Sequence, residues 1–355
     1  NALPLPWGWA ALPGRPGAKR ERRRARGGGE EPRRTFDLAE GPLFKLTVLK
    51  LGAELQRAIV AIHHIVTDGW SAVVLIQELG ALYRAFSRGE ASPLPELPVQ
   101  YTDFSVWQRD WLSGPRLAAE LDYWRGQLAA PLPVLDLPTD RPRTGAIMHR
   151  GGAFTVMRPK ELADGLKALG RSAGAGLFAT LMAGFRILLH RLTEASDIAI
   201  GSLVANRDRR EIEGLIGFFA NMVVFRGDLS GDPTVRAALA REAETGRGGL
   251  AHQGAPFERL VEELKPERHA GRNHLCDVIL VLQRGVPKPD LDARDLRIGP
   301  VGDLDNGTVR FDLEVHVWET DQGLSTSFIY NADLFDAASV EQLERQFAAV
   351  LAAMV

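Results

Sequence analysis

Cysteine is nearly absent from this chain: Cys276 is the only one in 355 residues. That excludes an intramolecular disulfide framework and a cysteine-based metal cluster. Net charge is also nearly absent, because 43 basic and 45 acidic side chains leave a balance of −2. Such a balance gives no general electrostatic reason to expect nucleic acid or an anionic membrane as partner. No apolar run approaches membrane-spanning length. The opening Asn1-Ala2-Leu3-Pro4 lacks the charged region and apolar core of a signal peptide. A cytoplasmic protein with no bound metal is the expectation. The remaining composition, 45% hydrophobic and 25% charged, is ordinary for a globular chain long enough for two packed lobes.

Against this plain background one stretch stands out: Ala61-Ile62-His63-His64-Ile65-Val66-Thr67-Asp68-Gly69-Trp70-Ser71. An apolar run from about Arg57 to Ile62 reads as a buried strand that delivers two histidines to its end. The pleat sends neighbouring side chains to opposite faces, so only one histidine can face a given cleft. Gly69 permits a tight turn, and Asp68 stands where it can cap a helix starting near Trp70. That helix carries Leu75, Leu79, Leu82 and Phe86 at helical spacing, which predicts one buried stripe. An imidazole changes charge near neutral pH and can serve as a general base. A lone strand-end histidine is more often structural. Four fixed positions coinciding within seven residues favour chemistry.

The rest of the chain alternates helices and strands without a regular βαβ beat, which predicts an α/β protein with mixed sheets. Residues 1–32 stand apart as a low-complexity leader, with five prolines, the basic run Lys19 to Arg26 and three consecutive glycines. Strands are predicted at Phe44–Leu51 and Glu54–His64, and a helix at Trp70–Ser87. Helices at Phe104–Leu112 and Leu117–Leu128 precede a proline-rich loop, Pro131–Thr144, that closes a first lobe of residues 33–145. A second lobe, 146–355, is predicted to hold strands at Gly152–Arg158, Asp197–Val204, Met222–Arg226, Asp277–Gln283, Val309–Trp318 and Leu324–Tyr330. Its helices are expected at Pro159–Leu169, Leu177–Leu192, Thr234–His252, Pro256–Leu264 and Ser339–Met354.

From about residue 35 onward the motifs resemble those of the condensation domains of nonribosomal peptide synthetases, which belong with the chloramphenicol-acetyltransferase-like acyltransferases. His63 to Gly69 reproduces the family's HHxxxDG. Tyr101 to Trp107 resembles Y-x-D-[FY]-x-V-W, Gly217 to Asn221 resembles G-x-F-[VA]-N, and His252 to Glu258 resembles HQ-xx-PFE. Arg272-Asn273-His274-Leu275 resembles R-x-P-L with histidine in place of proline, and Leu137 to Arg143 resembles the lobe connector. The resemblance implies two acetyltransferase-like lobes forming a V around a central tunnel. It implies substrates tethered to phosphopantetheine arms, no cofactor bound to the domain itself, and upstream and downstream carrier domains beside an adenylation domain as partners. It assigns His64 the role of base or amine-positioning group, with Gly69 N–H as an oxyanion donor and His63 and Asp68 mainly structural. Trp70, Ser71, Asn221 and Trp107 become candidate substrate contacts. For Trp107, core packing on an amphipathic segment competes with that role, and for Asn221 a turn does. The Asn206-Arg207-Asp208-Arg209-Arg210 cluster reads most simply as a solvated loop.

Two motifs that open the family's domains, one like S-x-A-Q-x-R-x-W and one like R-H-x-x-L-R-T, do not occur in this chain. The first lobe is therefore expected to be incomplete, and which arginine pairs with Asp68 stays open. Residues Trp70-Ser71-Ala72 after the Asp-Gly fit the type that joins two L-residues rather than epimerization domains, which carry Ser-Trp-Arg there. A carrier-docking domain without activity and a free-standing acyltransferase are the remaining alternatives.

Overall fold

The computed structural model describes residues 7–11, 36–50, 56–144, 150–267, 269–283, 292–293, 296–297 and 307–355. The chain divides by packing into two units, each assembled from three segments. Unit 1 takes Asn1–Phe104, Arg207–Phe219 and Pro287–Asn306, and unit 2 takes Ser105–Asn206, Ala220–Val286 and Gly307–Val355. The sequence boundary at residue 145 is not where this division falls. Most of the two helices expected to close the first lobe belongs to unit 2, and a short segment from the middle of the chain returns to unit 1.

Unit 1 holds a three-stranded sheet in the order β1-β2-β3. Strand β2 (Phe44–Lys50) and strand β3 (Gln56–Ile62) are antiparallel, with Phe44 opposite Ile62 and Lys50 opposite Gln56. Strand β1 (Trp7–Ala11) runs parallel to β2. It lies within the expected low-complexity leader, which is thus not without an element: pairing satisfies backbone groups along one edge of β2 despite the flanking prolines. The basic run and the three glycines lie outside the described residues. Helix α1 (Gly69–Phe86) follows β3. Its buried positions are Ser71, Val74, Gly80 and Ala85, not the expected leucine stripe. Leu79 and Phe86 are exposed, as are Ile76 and Tyr83. The apolar pattern of α1 is broad enough to admit two faces, and its small residues turn inward.

Helix α2 (Tyr101–Trp111) spans the boundary between the units, and α3 (Gly114–Gln127) lies in unit 2. The six-stranded sheet of unit 2 has the order β4-β9-β8-β7-β5-β6. Its strands are β4 (Gly151–Pro159), β5 (Asp197–Val204), β6 (Asn221–Asp228), β7 (Val278–Gln283), β8 (Leu313–Thr320) and β9 (Gly323–Asn331). It is mixed, as expected: β7 runs parallel to both β5 and β8, and the other pairs are antiparallel. Helices α4 (Lys160–Ser172), α5 (Leu177–Thr193), α6 (Val235–Ala251), α7 (Phe257–Leu264) and α8 (Ala337–Met354) complete the unit. Strand alternation divides the sheet into two faces. On one, Phe328 packs against Phe347 of α8, and Gly249 of α6 meets Phe225 and Val223 of β6. Burial of Leu181, Phe185, Leu280, Val315, Phe328 and Phe347 on this side builds one large core. The opposite face carries Glu314, His316 and Trp318. Among the described residues, no single helix is long and apolar enough to cross a membrane.

Candidate active site

Strand β3 stops at Ile62, one residue before the histidine pair, and His63 N–H closes the sheet by donating to Leu43 O at 2.9 Å. A single 3-10 turn, His64–Val66, follows. It is this turn, rather than the pleat, that separates the two imidazoles. His63 caps the turn: its Nδ1 accepts from Ile65 N–H at 3.1 Å, and its ring meets Phe36 edge-on at 6.0 Å. Accepting at Nδ1 fixes the neutral tautomer with the proton on Nε2. His64 is exposed, and its ring meets Phe218 edge-on at 5.3 Å. Among the described residues it makes no hydrogen bond that would commit either ring nitrogen. Two adjacent, identical residues thus receive different tasks from local geometry.

Asp68 caps α1 as the sequence predicts, with Oδ1 accepting from Ser71 N–H at 2.8 Å. It also does more. Oδ2 accepts from Phe219 N–H at 3.0 Å, and Oδ1 takes Arg207 Nη2 at 3.3 Å. Arg207 is the missing arginine partner, and its side chain is only 1% exposed. The expectation of a solvated loop at 206–210 fails at this residue. Its Nη1 donates to Ile212 O at 2.6 Å and Leu215 O at 2.8 Å, and its guanidinium lies 4.0 Å from the centre of the Phe219 ring. Burial lowers the pKa of Arg207, and Asp68 opposes that shift. The chain signal was indirect: a buried carboxylate requires a cation, and nothing in the sequence says which of the many arginines supplies it.

Ser71, expected as a substrate contact, is fully buried. Its hydroxyl donates to Gly217 O at 2.8 Å and accepts from Gly217 N–H at 3.1 Å and Arg207 Nη2 at 2.8 Å. With both donor and acceptor capacity committed, it braces the loop and has nothing left for a substrate. Gly217 is required by close approach, since a Cβ there would overlap the Tyr101 ring. Tyr101 in turn donates from its hydroxyl to Phe218 O at 2.8 Å. The HHxxxDG, G-x-F and Tyr101 motifs are therefore parts of one hydrogen-bonded assembly. Trp70 Nε1 donates to Glu213 O at 2.8 Å. Its ring lines a cavity of about 570 Å³ with Val73, Val74, Gln77, Glu78 and Arg84. Burial raises the Glu78 carboxyl.

Gly69 is the first residue of α1, and a Cβ built on it would meet nothing within 4 Å. Its φ is not in the left-handed region, so the tight turn read from the sequence is not what calls for glycine here. Among the described residues its N–H takes no hydrogen bond, as is usual in a first helical turn.

Asn221 and Trp107 lie in unit 2. Asn221 Nδ2 donates to Gln253 O at 2.8 Å and Ala255 O at 2.7 Å, and its Oδ1 accepts from Phe257 N–H at 3.1 Å. The G-x-F-[VA]-N asparagine thereby holds the HQ-xx-PFE loop at the start of α7, the bracing role that the sequence left open. Trp107 stacks on Trp111 at 5.3 Å, and Arg116 lies 4.1 Å from the centre of the Trp111 ring. Arg272, of the R-x-P-L-like motif, donates to Leu135 O at 2.6 Å and Asp277 Oδ2 at 2.9 Å. Among the described residues no group of three His, Cys, Asp or Glu side chains is arranged to hold a metal.

Comparison with known proteins agrees with this geometry. The family described as condensation domain matches residues 24–355, so the match opens ahead of Thr35. The chain is 42% identical to a linear gramicidin synthase of Brevibacillus parabrevis over 326 residues, covering 92% of this chain and 4% of that protein. It is 40% identical to phosphinothricin tripeptide synthetase PhsB of Streptomyces viridochromogenes over 351 residues, covering 98% of this chain and 29% of that one. The chain thus spans a small part of the curated relatives it matches. Among solved structures, the X-domain from teicoplanin biosynthesis is similar at a TM-score of 0.84 with 26% identity, covering 96% of this chain and 78% of that one. The first condensation domain of the calcium-dependent antibiotic synthetase shares the fold at a TM-score of 0.76 with 20% identity, covering 99% and 75%. The chain belongs to the condensation-domain family, the amide-bond-forming acyltransferases of nonribosomal peptide synthetases.

Proposed function

We propose that this chain joins an upstream aminoacyl or peptidyl thioester to the amine of a downstream aminoacyl thioester. Both substrates are delivered on phosphopantetheine arms by carrier domains, with an adenylation domain in the same cytoplasmic synthetase. The amine nitrogen attacks the thioester carbonyl carbon. An amide bond forms, the carbon–sulfur bond breaks, and the nitrogen gives up a proton. His64 takes that proton or holds the amine in line, and Gly69 N–H donates to the oxygen on which negative charge develops. His63, Asp68, Arg207 and Ser71 position this pair. The observation that carries the reading is the contrast between His64, exposed with uncommitted ring nitrogens, and the buried polar assembly beside it.

A second reading is a docking domain without activity. The teicoplanin X-domain, 26% identical, has been solved in complex with OxyB, which favours asking the question here. Single-turnover amide formation between loaded carrier domains, followed by intact-protein mass spectrometry, separates the two. For His64→Ala a loss of about 10²- to 10⁴-fold is expected, with an unchanged melting temperature because the ring is exposed. A well-folded parent that forms no amide with any loaded pair would establish the docking reading.

A further inference from the structure

The backbone of His64 is fixed more closely than its side chain. Its 3-10 turn is closed by Val66 N–H donating to His63 O at 3.1 Å and by Thr67 N–H donating to His64 O at 3.3 Å. Beyond Cβ no polar group holds the ring: among the described residues neither imidazole nitrogen has a hydrogen-bond partner. The torsion that turns an imidazole about its Cβ–Cγ bond is broad. A general base is ordinarily oriented by a third group that bonds to it. Here the group set against the imidazole is a hydrocarbon ring. Phe218 meets it with 5.3 Å between ring centres and 88° between ring planes.

Phe218 is itself held in place. Its carbonyl accepts from the Tyr101 hydroxyl at 2.8 Å. The residue before it, Gly217, is bonded through both its N–H and its C=O to the Ser71 hydroxyl. The residue after it, Phe219, donates its N–H to Asp68 Oδ2 at 3.0 Å, and the Phe219 ring meets Tyr101 edge-on at 5.1 Å. Three successive backbone units are thus tied to Tyr101, Ser71 and Asp68, all of them in unit 1 with His64. Those bonds account for the backbone of this loop and leave the Phe218 side chain unexplained, because it is 38% exposed and gains little from burial. Among the described residues its one ring contact is the imidazole of His64.

We infer that Phe218 is a positioning residue for His64. Its edge-on contact limits rotation of the imidazole and commits neither nitrogen, so both stay open to the attacking amine. The inference rests on the amide-forming reading above. The bonds from Tyr101, Ser71 and Asp68 then reach the imidazole by two routes, through the turn that carries His64 and through the ring beside it. Ring quadrupoles favour the perpendicular arrangement, and the preference it gives one ring orientation is about 2- to 10-fold. A reacting group that loses its orientation loses rate in the same direction.

The test uses the whole chain with ring-¹³C-labelled histidine, and loaded carrier domains in single-turnover amide formation. The parent is compared with Phe218→Leu and Phe218→Tyr, and His64→Ala assigns the His64 ring signal. In the parent, the ring current of Phe218 is expected to displace that signal from the position of an unstacked histidine. Phe218→Leu should remove the displacement and slow amide formation at saturating carrier about 2- to 10-fold, with the half-saturating carrier concentration unchanged. Phe218→Tyr, which keeps the ring, should restore both signal and rate. Phe218→Met serves in place of Phe218→Leu if the latter does not fold. An undisplaced signal in the parent, a rate unchanged in Phe218→Leu, or a loss that Phe218→Tyr does not recover would overturn the assignment even if amide forms. A parent that forms no amide, yet shows a displacement lost in Phe218→Leu and kept in Phe218→Tyr, would uphold the positioning contact and remove the amide-forming reading instead.

Discussion

Arg186 and Arg207 are both almost fully buried, and each faces a carboxylate, yet the two pairs are built differently. In unit 2, Arg186 of α5 grips Glu242 of α6 through two bonds, Nε to Oε2 at 2.8 Å and Nη2 to Oε1 at 3.1 Å. Its remaining donors reach Ile198 O of β5 and Phe225 O of β6. Every partner is a regular element of one core. In unit 1, Arg207 Nη2 lies 3.3 Å from Asp68 Oδ1, and the carboxylate is shared with Ser71 N–H and Phe219 N–H. Its partners are loop ends and a helix start. The first pair ties a core to itself. The second fixes the backbone on which His64 is mounted, and its geometry is set by position more than by strength.

If that distinction holds, the largest effect will come from breaking the core pair. Arg186→Met leaves Glu242 as an unpaired buried charge and is expected to cost about 3–5 kcal/mol, measured as the urea midpoint. Adding Glu242→Leu should recover most of that stability and leave amide formation intact. Next comes the site pair. Asp68→Asn turns an amide N–H donor toward donors already aimed at that side chain, Ser71 N–H and Phe219 N–H, and should cost about 1–3 kcal/mol. The informative result is a drop in amide formation that the double variant Asp68→Leu with Arg207→Met does not recover, even where its stability returns. Recovery of both would show that the two pairs are equivalent and erase the comparison.

Gly217→Ala sharpens the comparison from another side. Its new methyl group would displace Tyr101, which the adjoining loop contacts, for an expected cost of about 1–3 kcal/mol. Relief by Tyr101→Leu, but not by any change in unit 2, would localise the strain.

The smallest effect concerns Cys276, packed against Gly201 in the core of unit 2. Burial, then Asp277, pushes its thiol up to about 12. Below about pH 8.5 the thiol is neutral in both folded and unfolded chains and contributes nothing to pH dependence. Above that, only the unfolded chain readily releases the proton, so stability should fall with rising pH by up to about 1.4 kcal/mol per unit. Urea midpoints at pH 8 and pH 10 for the parent and Cys276→Ala would show it. A parent slope no steeper than the variant's would remove the effect.

Much of this architecture could be read from residue order, because strands and helices with a single dominant period declare themselves. Strand β5 agrees with its expected range, Asp197–Val204, and α5 is an apolar helix buried almost throughout. Where the period was ambiguous, reading stopped. Helix α1 offers two apolar faces, and spacing alone selected the leucines over the inward Val74 and Ala85. The site was legible in its local part: the cap at Asp68 and the difference between the two histidines follow from a few neighbouring residues. Its long-range part was not. Arg207 lies in a run of charges that reads as surface, and only tertiary structure reveals that one of them points inward. Ser71 and Asn221 looked like contacts because they sit in motifs, whereas their polar atoms are committed to backbone groups far along the chain.

That distance along the chain has a consequence for how the protein is made and remade. Asp68 and Arg207 are separated by 139 residues, and Asp68 and Phe219 by 151. During synthesis at bacterial or eukaryotic rates, the histidine turn leaves the ribosome on the order of ten seconds before its clamp exists. The same arithmetic constrains chimeras. Exchanging residues 105–206 between relatives leaves both halves of the clamp in one parent. A single crossover placed inside that span draws Asp68 from one parent and Arg207 from the other, so the junctions of a working hybrid follow the clamp rather than the order of the motifs.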